Sequence, residues 1–435
     1  MNKIDILIIG AGAAGLMAAR TLAKAGKKVI VLEARNRCGG RIHTIHNQAF
    51  LKNTELGAEF IHGNLPVTLN LLKEAGIAYQ SVNAEMWRYN NGHLSNVGFF
   101  ITDWGVLIQR LSKLEADVNM GEFLQREFPG DRYKELRESV RKFVSGYDTA
   151  DLWKASAFAL RREWQGEDDD AQRRVKGGYG AVIKYLEDEC KNNRGRIYLN
   201  SIVKEVHWSH EGVKAITTEG VVYDASQILI ALPLGVLQAY NDERGAIAFH
   251  PEIPEQKKAI EAMGFGAVIK ILLEFDSIFW EDQFVTELAG KSLRNMGYLF
   301  SDEEIPTWWT QSPQHSSVLT GWLGGPDAAN KKNQPDEAIL QQALQSLGKI
   351  FKRNPDELKN GLLAFTIVNW TAEPFTRGSY SFDTVASEES RKLLNKPLSD
   401  ILFFAGDYLY DGPAMGTVEA ALTSGQRVAK TMLSV

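Results

Sequence analysis

Four residues near the start of the chain have the types and spacing of a site for nucleotide phosphates. Residues 10–15 read Gly-Ala-Gly-Ala-Ala-Gly, and Glu33 follows at a distance usual for a ribose-binding acid. Gly10 permits a tight turn, Gly12 lets the backbone approach a pyrophosphate, and Gly15 lets a helix pack closely on a strand. A carboxylate at Glu33 accepts hydrogen bonds from ribose hydroxyls and disfavours a 2′-phosphate. The predicted chemistry is dinucleotide binding, with NADP disfavoured.

The neighbouring segments have the patterns of the elements that must position these residues. The apolar run 4–9 predicts a buried parallel strand, and residues 14–25 carry apolar side chains at helical spacing. Residues 28–32 predict a second strand that ends at Glu33, and the helix N-terminus faces the phosphate charge. Gly39-Gly40-Arg41 offers bare backbone and a guanidinium to a long cofactor, which favours FAD and leaves NAD as an alternative.

The composition is that of an ordinary globular enzyme. With 435 residues, 44% hydrophobic content and 24% charge, the chain predicts two or three domains with sizeable cores. The net charge of −5 is mild and the basic residues are scattered, which disfavours a nucleic-acid partner. Cys38 and Cys190 form neither a disulfide framework nor a metal-ligand spacing, so we predict no metal site and a reducing compartment. The acidic run 167–170 predicts a solvated loop or helix end.

Signals for a membrane or for export are not visible in the sequence. No apolar run approaches the roughly 20 residues that span a bilayer. The first strand begins at residue 4, which leaves no room for a targeting segment before it. We therefore expect a cytoplasmic protein without a membrane partner.

The rest of the chain alternates between helical and strand-like regions. Residues 66–165 are predicted to be rich in helix. Strands are predicted at 197–208, 213–217, 227–231, 267–275, 308–322 and 401–404, followed by a helix at 416–432. The return of buried strands so late in the chain predicts a cofactor domain assembled from separated segments.

Motifs along almost the whole chain resemble those of the flavin amine oxidase family, which includes polyamine oxidases, monoamine oxidases and lysine-specific histone demethylases. They are GAGAAG with Glu33, GGR at 39–41, LGAEFIHG at 56–63, KGGYG at 176–180, ALPLGVL at 231–237, GFGAVIK at 264–270, NW at 369–370, RGSYSF at 377–382, FAGD at 404–407 and GTVEAALTSG at 416–425. The nearest resemblance is to polyamine-oxidase-like members.

This resemblance implies an α/β fold with FAD as the cofactor. It implies a discontinuous Rossmann-type FAD-binding domain and an α+β substrate-binding domain. We expect the FAD-binding domain to comprise residues 1–66, 176–245 and 395–435, and the substrate-binding domain to comprise residues 67–175 and 246–394.

The resemblance also implies four catalytic residues. Lys270 matches a lysine that holds a water against flavin N5, although a lysine within an apolar strand can also reach solvent at the sheet edge. Tyr380 matches an aromatic wall of the substrate cage, and Thr417 stands where monoamine oxidases have a second tyrosine, which makes the cage more open. His62 resembles a histidine near the bound amine in animal polyamine oxidases; a structural histidine is the alternative.

The residues expected to bind the cofactor lie in these same motifs. They are Gly10, Gly12, Ala14, Gly15, Glu33, Ala34, Gly40, Arg41, Gly57, Ala58, Glu59, Val203, Trp370, Gly406, Asp407, Thr417 and Val418. The helix near Gly416 is expected to direct the Thr417 and Val418 amides at the pyrimidine end of the flavin. Ser379 occupies the place of a flavin-linked cysteine in monoamine oxidases, so the FAD is expected to be noncovalent.

The expected reaction is oxidation of an amine to an imine by hydride transfer to flavin N5, followed by imine hydrolysis and reoxidation by oxygen to give hydrogen peroxide. The amine must be neutral, which costs about 4 kcal/mol at pH 7 for a pKa near 10.4. A small-molecule amine is expected rather than a histone, and Glu59 or Glu85 are candidates to attract a polycation. Phe60 stands where L-amino-acid oxidases have the arginine that binds the substrate carboxylate, so an amino-acid substrate loses its expected anchor. An L-amino-acid oxidase is kept as an alternative, as is a flavin-binding protein with another electron acceptor. The oligomeric state stays open.

Overall fold

The computed structural model describes residues 4–47, 49–97, 101, 103–166, 172–240 and 243–435. The acidic run 167–170 lies outside the described residues, so its predicted structure is untested. No helix among the described residues is both long and apolar enough to cross a membrane.

The strands, numbered in chain order, are β1 (Ile4–Ile9), β2 (Val29–Leu32), β3 (Ile61–His62), β4 (Tyr79–Val82), β5 (Glu85–Asn90), β6 (His93–Asn96), β7 (Gln172–Val175), β8 (Arg196–Tyr198), β9 (Val203–Ser209), β10 (Gly212–Thr217), β11 (Val222–Ile230), β12 (Ala248–His250), β13 (Gly264–Phe265), β14 (Val268–Phe275), β15 (Met296–Ser301), β16 (Thr307–Thr310), β17 (Val318–Gly324), β18 (Leu362–Asn369), β19 (Ser381–Phe382) and β20 (Leu402–Phe404). The helices are α1 (Ala13–Lys24), α2 (Pro66–Ala75), α3 (Trp104–Ser112), α4 (Met120–Glu127), α5 (Lys134–Gly146), α6 (Ala157–Gly166), α7 (Gly180–Asn192), α8 (Leu234–Leu237), α9 (Pro254–Ala262), α10 (Gln283–Ala289), α11 (Gly325–Asn330), α12 (Asp336–Phe351), α13 (Pro355–Asn360), α14 (Ser387–Leu394) and α15 (Val418–Ser434).

An eight-stranded sheet carries the glycine-rich turn. Its order is β12-β9-β10-β11-β1-β2-β8, and β20 also pairs with β11. β1 lies parallel to both β2 and β11, and β20 lies parallel to β11. Ile6 and Ile8 of β1 belong to one core while Leu7 and Ile9 belong to another, so the strand is buried on both faces. That burial explains its continuous apolar sequence and confirms the predicted α/β fold.

One predicted strand and one predicted domain boundary do not coincide with the observed sheet. The predicted strand 197–208 is divided into β8 and β9, because Asn200 adopts a left-handed φ of 53°. At this break the amides of Asn200 and Ser201 donate to the carbonyls of Arg35 and Glu33, at 2.9 and 2.8 Å. At the other end, β12 pairs with β9, so the sheet extends past the domain boundary predicted at residue 245.

A seven-stranded sheet, in the order β18-β14-β17-β16-β15-β5-β6, faces the first across the candidate site. β14 lies between two antiparallel neighbours, with Lys270 opposite Trp322 and Val368. The predicted strand 308–322 is a hairpin made of β16 and β17. The sequence prediction also missed β4, β5 and β6 within the region expected to be helical, because these strands are short and polar.

Candidate functional site

A cavity of about 1410 Å³ lies between the two sheets. All four predicted catalytic residues line it, and so do the predicted cofactor-binding residues apart from Gly15: Gly10, Gly12, Ala14, Glu33, Ala34, Gly40, Arg41, Gly57, Ala58, Glu59, Val203, Trp370, Gly406, Asp407, Thr417 and Val418. Gly15 lies behind the cavity wall, where a Cβ would overlap the carbonyl oxygen of Gly10. Its role is the close packing of α1 on the sheet, so its assignment as a cofactor contact is corrected.

The turn before α1 has the form that a pyrophosphate requires. Gly10 has a φ of +102°, and Gly12 is the N-cap of α1 without a side-chain cap. A Cβ on Gly12 would meet no atom within 4 Å, so this glycine leaves room for a ligand beside the helix N-terminus. Glu33 is buried and accepts the amides of Ala11 at 2.8 Å and Arg35 at 3.0 Å, which fixes its carboxylate next to the turn.

A second helix begins at the same cavity. Thr417 is the N-cap of α15, and its hydroxyl accepts the Ala420 amide at 3.3 Å while donating to the Ala414 carbonyl at 2.7 Å. The hydroxyl therefore serves the helix cap, and Thr417 also lines the cavity, where its predicted place in the substrate cage stays a prediction. The site thus has two helix N-termini, open space beside Gly12 and the fixed carboxylate of Glu33. These features fit the phosphates, flavin and ribose of FAD.

Arg41 and the buried Asp407 form a partly buried ion pair at the cavity wall. Arg41 Nη2 lies 2.6 Å from Asp407 Oδ1, and Nη1 donates to the Ser379 carbonyl at 2.7 Å. Asp407 Oδ2 also accepts the amide and hydroxyl of Ser381, at 2.9 and 3.0 Å. Burial alone would raise the pKa of Asp407, but Arg41 and Ser381 hold it below its usual value. This pair joins the GGR loop to the end of β20.

Lys270 is completely buried, with 0% of its surface exposed. Its Nζ donates to Glu59 Oε2 at 2.6 Å and to the Gly57 carbonyl at 3.1 Å. These bonds exclude the alternative in which a strand-edge lysine reaches solvent. Glu59 also accepts Trp309 Nε1 at 3.1 Å and forms an ion pair with Arg174. Sequence reasoning missed both Arg174 and Trp309, since neither stands in a motif that marks it.

Glu59 therefore does not have the role considered for it in the sequence, which was to attract a polycationic substrate. Burial would raise the pKa of its carboxyl, but Arg174 and Lys270 hold that pKa below its usual value. Its negative charge is used by these two cations. Glu85 is excluded from the same role, because it does not line the cavity and pairs with Lys291 at 2.7 Å. Asp148 and Glu163 do line the cavity, and sequence reasoning missed them.

An aromatic surface lines the cavity beside Lys270. The ring of Phe60 lies 5.8 Å from those of His62 and Tyr298, and 5.9 Å from that of Trp309. His62 is also 5.7 Å from Tyr147, edge to face. Burial lowers the pKa of His62 to about 4, so the imidazole is neutral at ordinary pH.

Tyr380 adds a further ring to the cavity wall, and its hydroxyl donates to the Tyr147 carbonyl. Burial raises the pKa of Tyr380, so the phenol stays protonated. Trp370, predicted to pack beside the flavin, donates from Nε1 to the Leu56 carbonyl at 2.9 Å. Ser379 Oγ lies 2.6 Å from Thr149 Oγ1 in the buried wall. These groups make an uncharged part of the wall, and the carboxylates of Asp148 and Glu163 act electrostatically on Tyr380.

Cys38 and Cys190 are both free thiols.

A group of possible metal ligands lies at the sheet edge, outside the cavity lining. Glu205, His207 and His250 bring their ligand atoms within 4.8 Å of one another there. The prediction of no metal site did not anticipate this cluster, which depends on the pairing of β9 with β12.

Comparisons with known proteins agree with this geometry. The family model described as "Flavin containing amine oxidoreductase" matches residues 13–99 and 105–433. Lysine-specific histone demethylase 2 of Homo sapiens is 30% identical over 93% of this chain and 50% of its own length, and Polyamine oxidase 2 of Arabidopsis thaliana is 26% identical over 98% and 87%. The chain thus spans about half the length of the demethylase.

Solved structures show the same fold at low sequence identity. Putrescine oxidase, in a structure of the wild type bound to putrescine, has a TM-score of 0.80 at 20% identity and covers 99% of both chains. Cyclohexylamine oxidase from Brevibacterium oxydans IH-35A has a TM-score of 0.80 at 19% identity, also over 99% of both chains.

Proposed function

The chain belongs to the family of flavin-containing amine oxidoreductases, and we propose that it is an FAD-dependent oxidase of small primary or secondary amines, including di- and polyamines. One observation carries this proposal: the buried Lys270 and an uncharged aromatic surface line the same cavity as a dinucleotide cradle. The similarity to a polyamine oxidase and to putrescine oxidase supports the substrate class.

The residues around the cavity explain which form of the amine would react. When bound, FAD supplies the acceptor for two electrons from the amine carbon, the imine product is hydrolysed, and oxygen takes up the electrons as hydrogen peroxide. Phe60, Tyr380 and neutral His62 offer no fixed negative charge to an ammonium ion. Desolvation beside these rings lowers the cost of losing the ammonium proton, so the wall favours the neutral amine that can react.

A panel of substrates tests the proposal. Anaerobic bleaching of the flavin absorbance should be faster, by kcat/KM, with diamines, polyamines or simple amines than with α-amino acids. The physical reason is that Phe60 stands in place of the arginine that pairs with the substrate carboxylate in L-amino-acid oxidases. If L-leucine or L-phenylalanine reduces the flavin faster than every amine, the enzyme is an amino-acid oxidase. If nothing in the panel bleaches the flavin, the proposal fails.

We also propose that the FAD is held without a covalent bond. Ser379 presents a hydroxyl paired with Thr149 where a linking thiol would be needed. Acid precipitation should therefore release all of the flavin into the supernatant, as measured by its absorbance. Yellow colour that stays in the washed pellet would contradict this expectation.

A further inference from the structure

The cluster around Glu59 carries more positive than negative charge. Lys270 and Arg174 both form ion pairs with this one carboxylate, inside a wall where all three side chains are nearly excluded from solvent. A buried ammonium without a counter-charge tends to lose its proton, since burial favours the neutral form. Glu59 is therefore the counter-charge of the Lys270 ammonium within this wall.

Both ends of the cluster are held in place. Arg174 donates to the Thr310 carbonyl at 2.8 Å and to Gln311 Oε1 at 3.1 Å, and its guanidinium lies 4.5 Å from the centroid of the Phe60 ring. An ammonium has three donors, and the bonds of Lys270 to Glu59 and Gly57 leave one available. The cluster thus presents a fixed charge with one unused donor at the cavity.

We propose that Glu59 is a positioning residue for the reaction with oxygen, because it fixes Lys270 as a charged donor at the cavity wall. This inference rests on the proposed function for the identity of the oxidant. Negative charge develops on oxygen as it accepts electrons, and a preorganised cation stabilises it. Arg174 holds Glu59 but is not required for the charge of Lys270, since the remaining pair would be neutral.

Other titratable groups act on this cluster. Glu55 interacts electrostatically with both Lys270 and Glu59, and the phenol of Tyr298 interacts with Arg174 and Glu59. Burial raises the pKa of Tyr298, so the phenol stays neutral between pH 6 and pH 9, the range used in the experiment below. Burial raises the pKa of Glu55 to about 7, inside the tested range, and Glu59 adds to that shift, so the variants and their wild-type reference are all compared in a Glu55→Gln background.

The experiment uses FAD-loaded protein reduced with dithionite and mixed with oxygen from pH 6 to pH 9. In Glu59→Gln the ratio of the reoxidation rate to that of wild type should fall by about tenfold or more as the pH rises, because Lys270 loses its proton. In Glu59→Asp, which keeps the charge, and in Arg174→Gln, which keeps the neutral pair, the ratio should not change with pH. No amine is present, so the result is independent of whether the proposed amine oxidation is correct.

A second readout does not involve FAD. The melting temperature of FAD-free Glu59→Gln should lie below that of wild type, and the deficit should narrow as the pH rises. The sign follows because the unfolded chain keeps the Lys270 proton that the folded variant has released, so higher pH favours folding. The proposal is overturned if the rate ratio of Glu59→Gln does not change with pH. It is also overturned if Arg174→Gln shows the same pH dependence as Glu59→Gln, which would indicate that Glu59 has a structural role only. If Glu59→Gln does not fold, the double variant Glu59→Gln, Arg174→Gln loses one charge of each sign and must show the same pH dependence.

Discussion

Glu55 and Glu59 belong to the same loop and are almost equally buried, at 5% and 6% exposure, yet their surroundings favour opposite charge states. Glu55 accepts hydrogen bonds from the Tyr179 amide and from Thr44 Oγ1, and burial raises its pKa to about 7. Glu59 has two cationic partners, and its pKa is lowered. The difference shows that the position of cations, more than burial, decides where this molecule keeps buried charge.

The two sites also differ in what they contact. Glu59 lines the cavity, whereas Glu55 ties the loop to the N-terminus of α7 through Tyr179. Charge is thus kept at the cavity wall and is suppressed where the loop only packs. Asp407, paired with Arg41, follows the pattern of Glu59 at the other end of the cavity.

The largest expected effect concerns stability at Glu55. Its folded pKa of about 7 exceeds the ordinary 4.5, so the stability it contributes is fully present below pH 4.5 and is lost as the pH rises through 7. Glu55→Gln removes this loss, and its free energy of unfolding relative to wild type should rise by about 3 kcal/mol between pH 4.5 and pH 8. Denaturant unfolding of both proteins at the two pH values measures the change. A difference independent of pH would show that Glu55 is ionised normally.

The next effect is expected at Lys270, on the charged side of the comparison. Lys270→Met should slow oxygen-dependent reoxidation by about 10² or more, in the range of one lost charge-stabilising group. Anaerobic reduction by the amine should fall much less, because hydride loss from a neutral amine develops less charge at this wall. Stopped-flow absorbance at the flavin band measures both steps separately. Equal slowing of the two steps, or unchanged reoxidation, would remove Lys270 from this role.

The smallest effect is expected at His62, on the uncharged surface. His62→Ala should raise KM or lower the rate of flavin reduction for the best amine by about tenfold, or roughly 1.4 kcal/mol. Because the pKa of His62 is lowered to about 4, no titration of this imidazole should appear between pH 6 and pH 9. His315→Ala, which alters an exposed histidine paired with Glu281, is the matched control. Wild-type rates in His62→Ala would assign it a packing role.

Local features were predictable, and contacts between distant segments were not. The β1 strand, the turn at Gly10 and the acid at Glu33 depend on residues close in sequence, and the structure brings them together as predicted. Lys270 could be located, but its partners Glu59, Arg174 and Trp309 come from separate elements, and a sequence gives no sign of such pairing. The hydrogen bonds of the Thr417 hydroxyl could be assigned only after the exact start of α15 was known.

The packing of α1 against α15 has a consequence for how the protein is made. The glycine-rich turn leaves the ribosome well before α15 and the parallel strand β20, because both follow it much later in the chain. Long-range parallel pairing of this kind folds slowly, since distant segments must meet before the contacts stabilise them. The segment that carries β1 and α1 therefore leaves the ribosome with an incomplete apolar face, which is covered only after β20 and α15 have been synthesised.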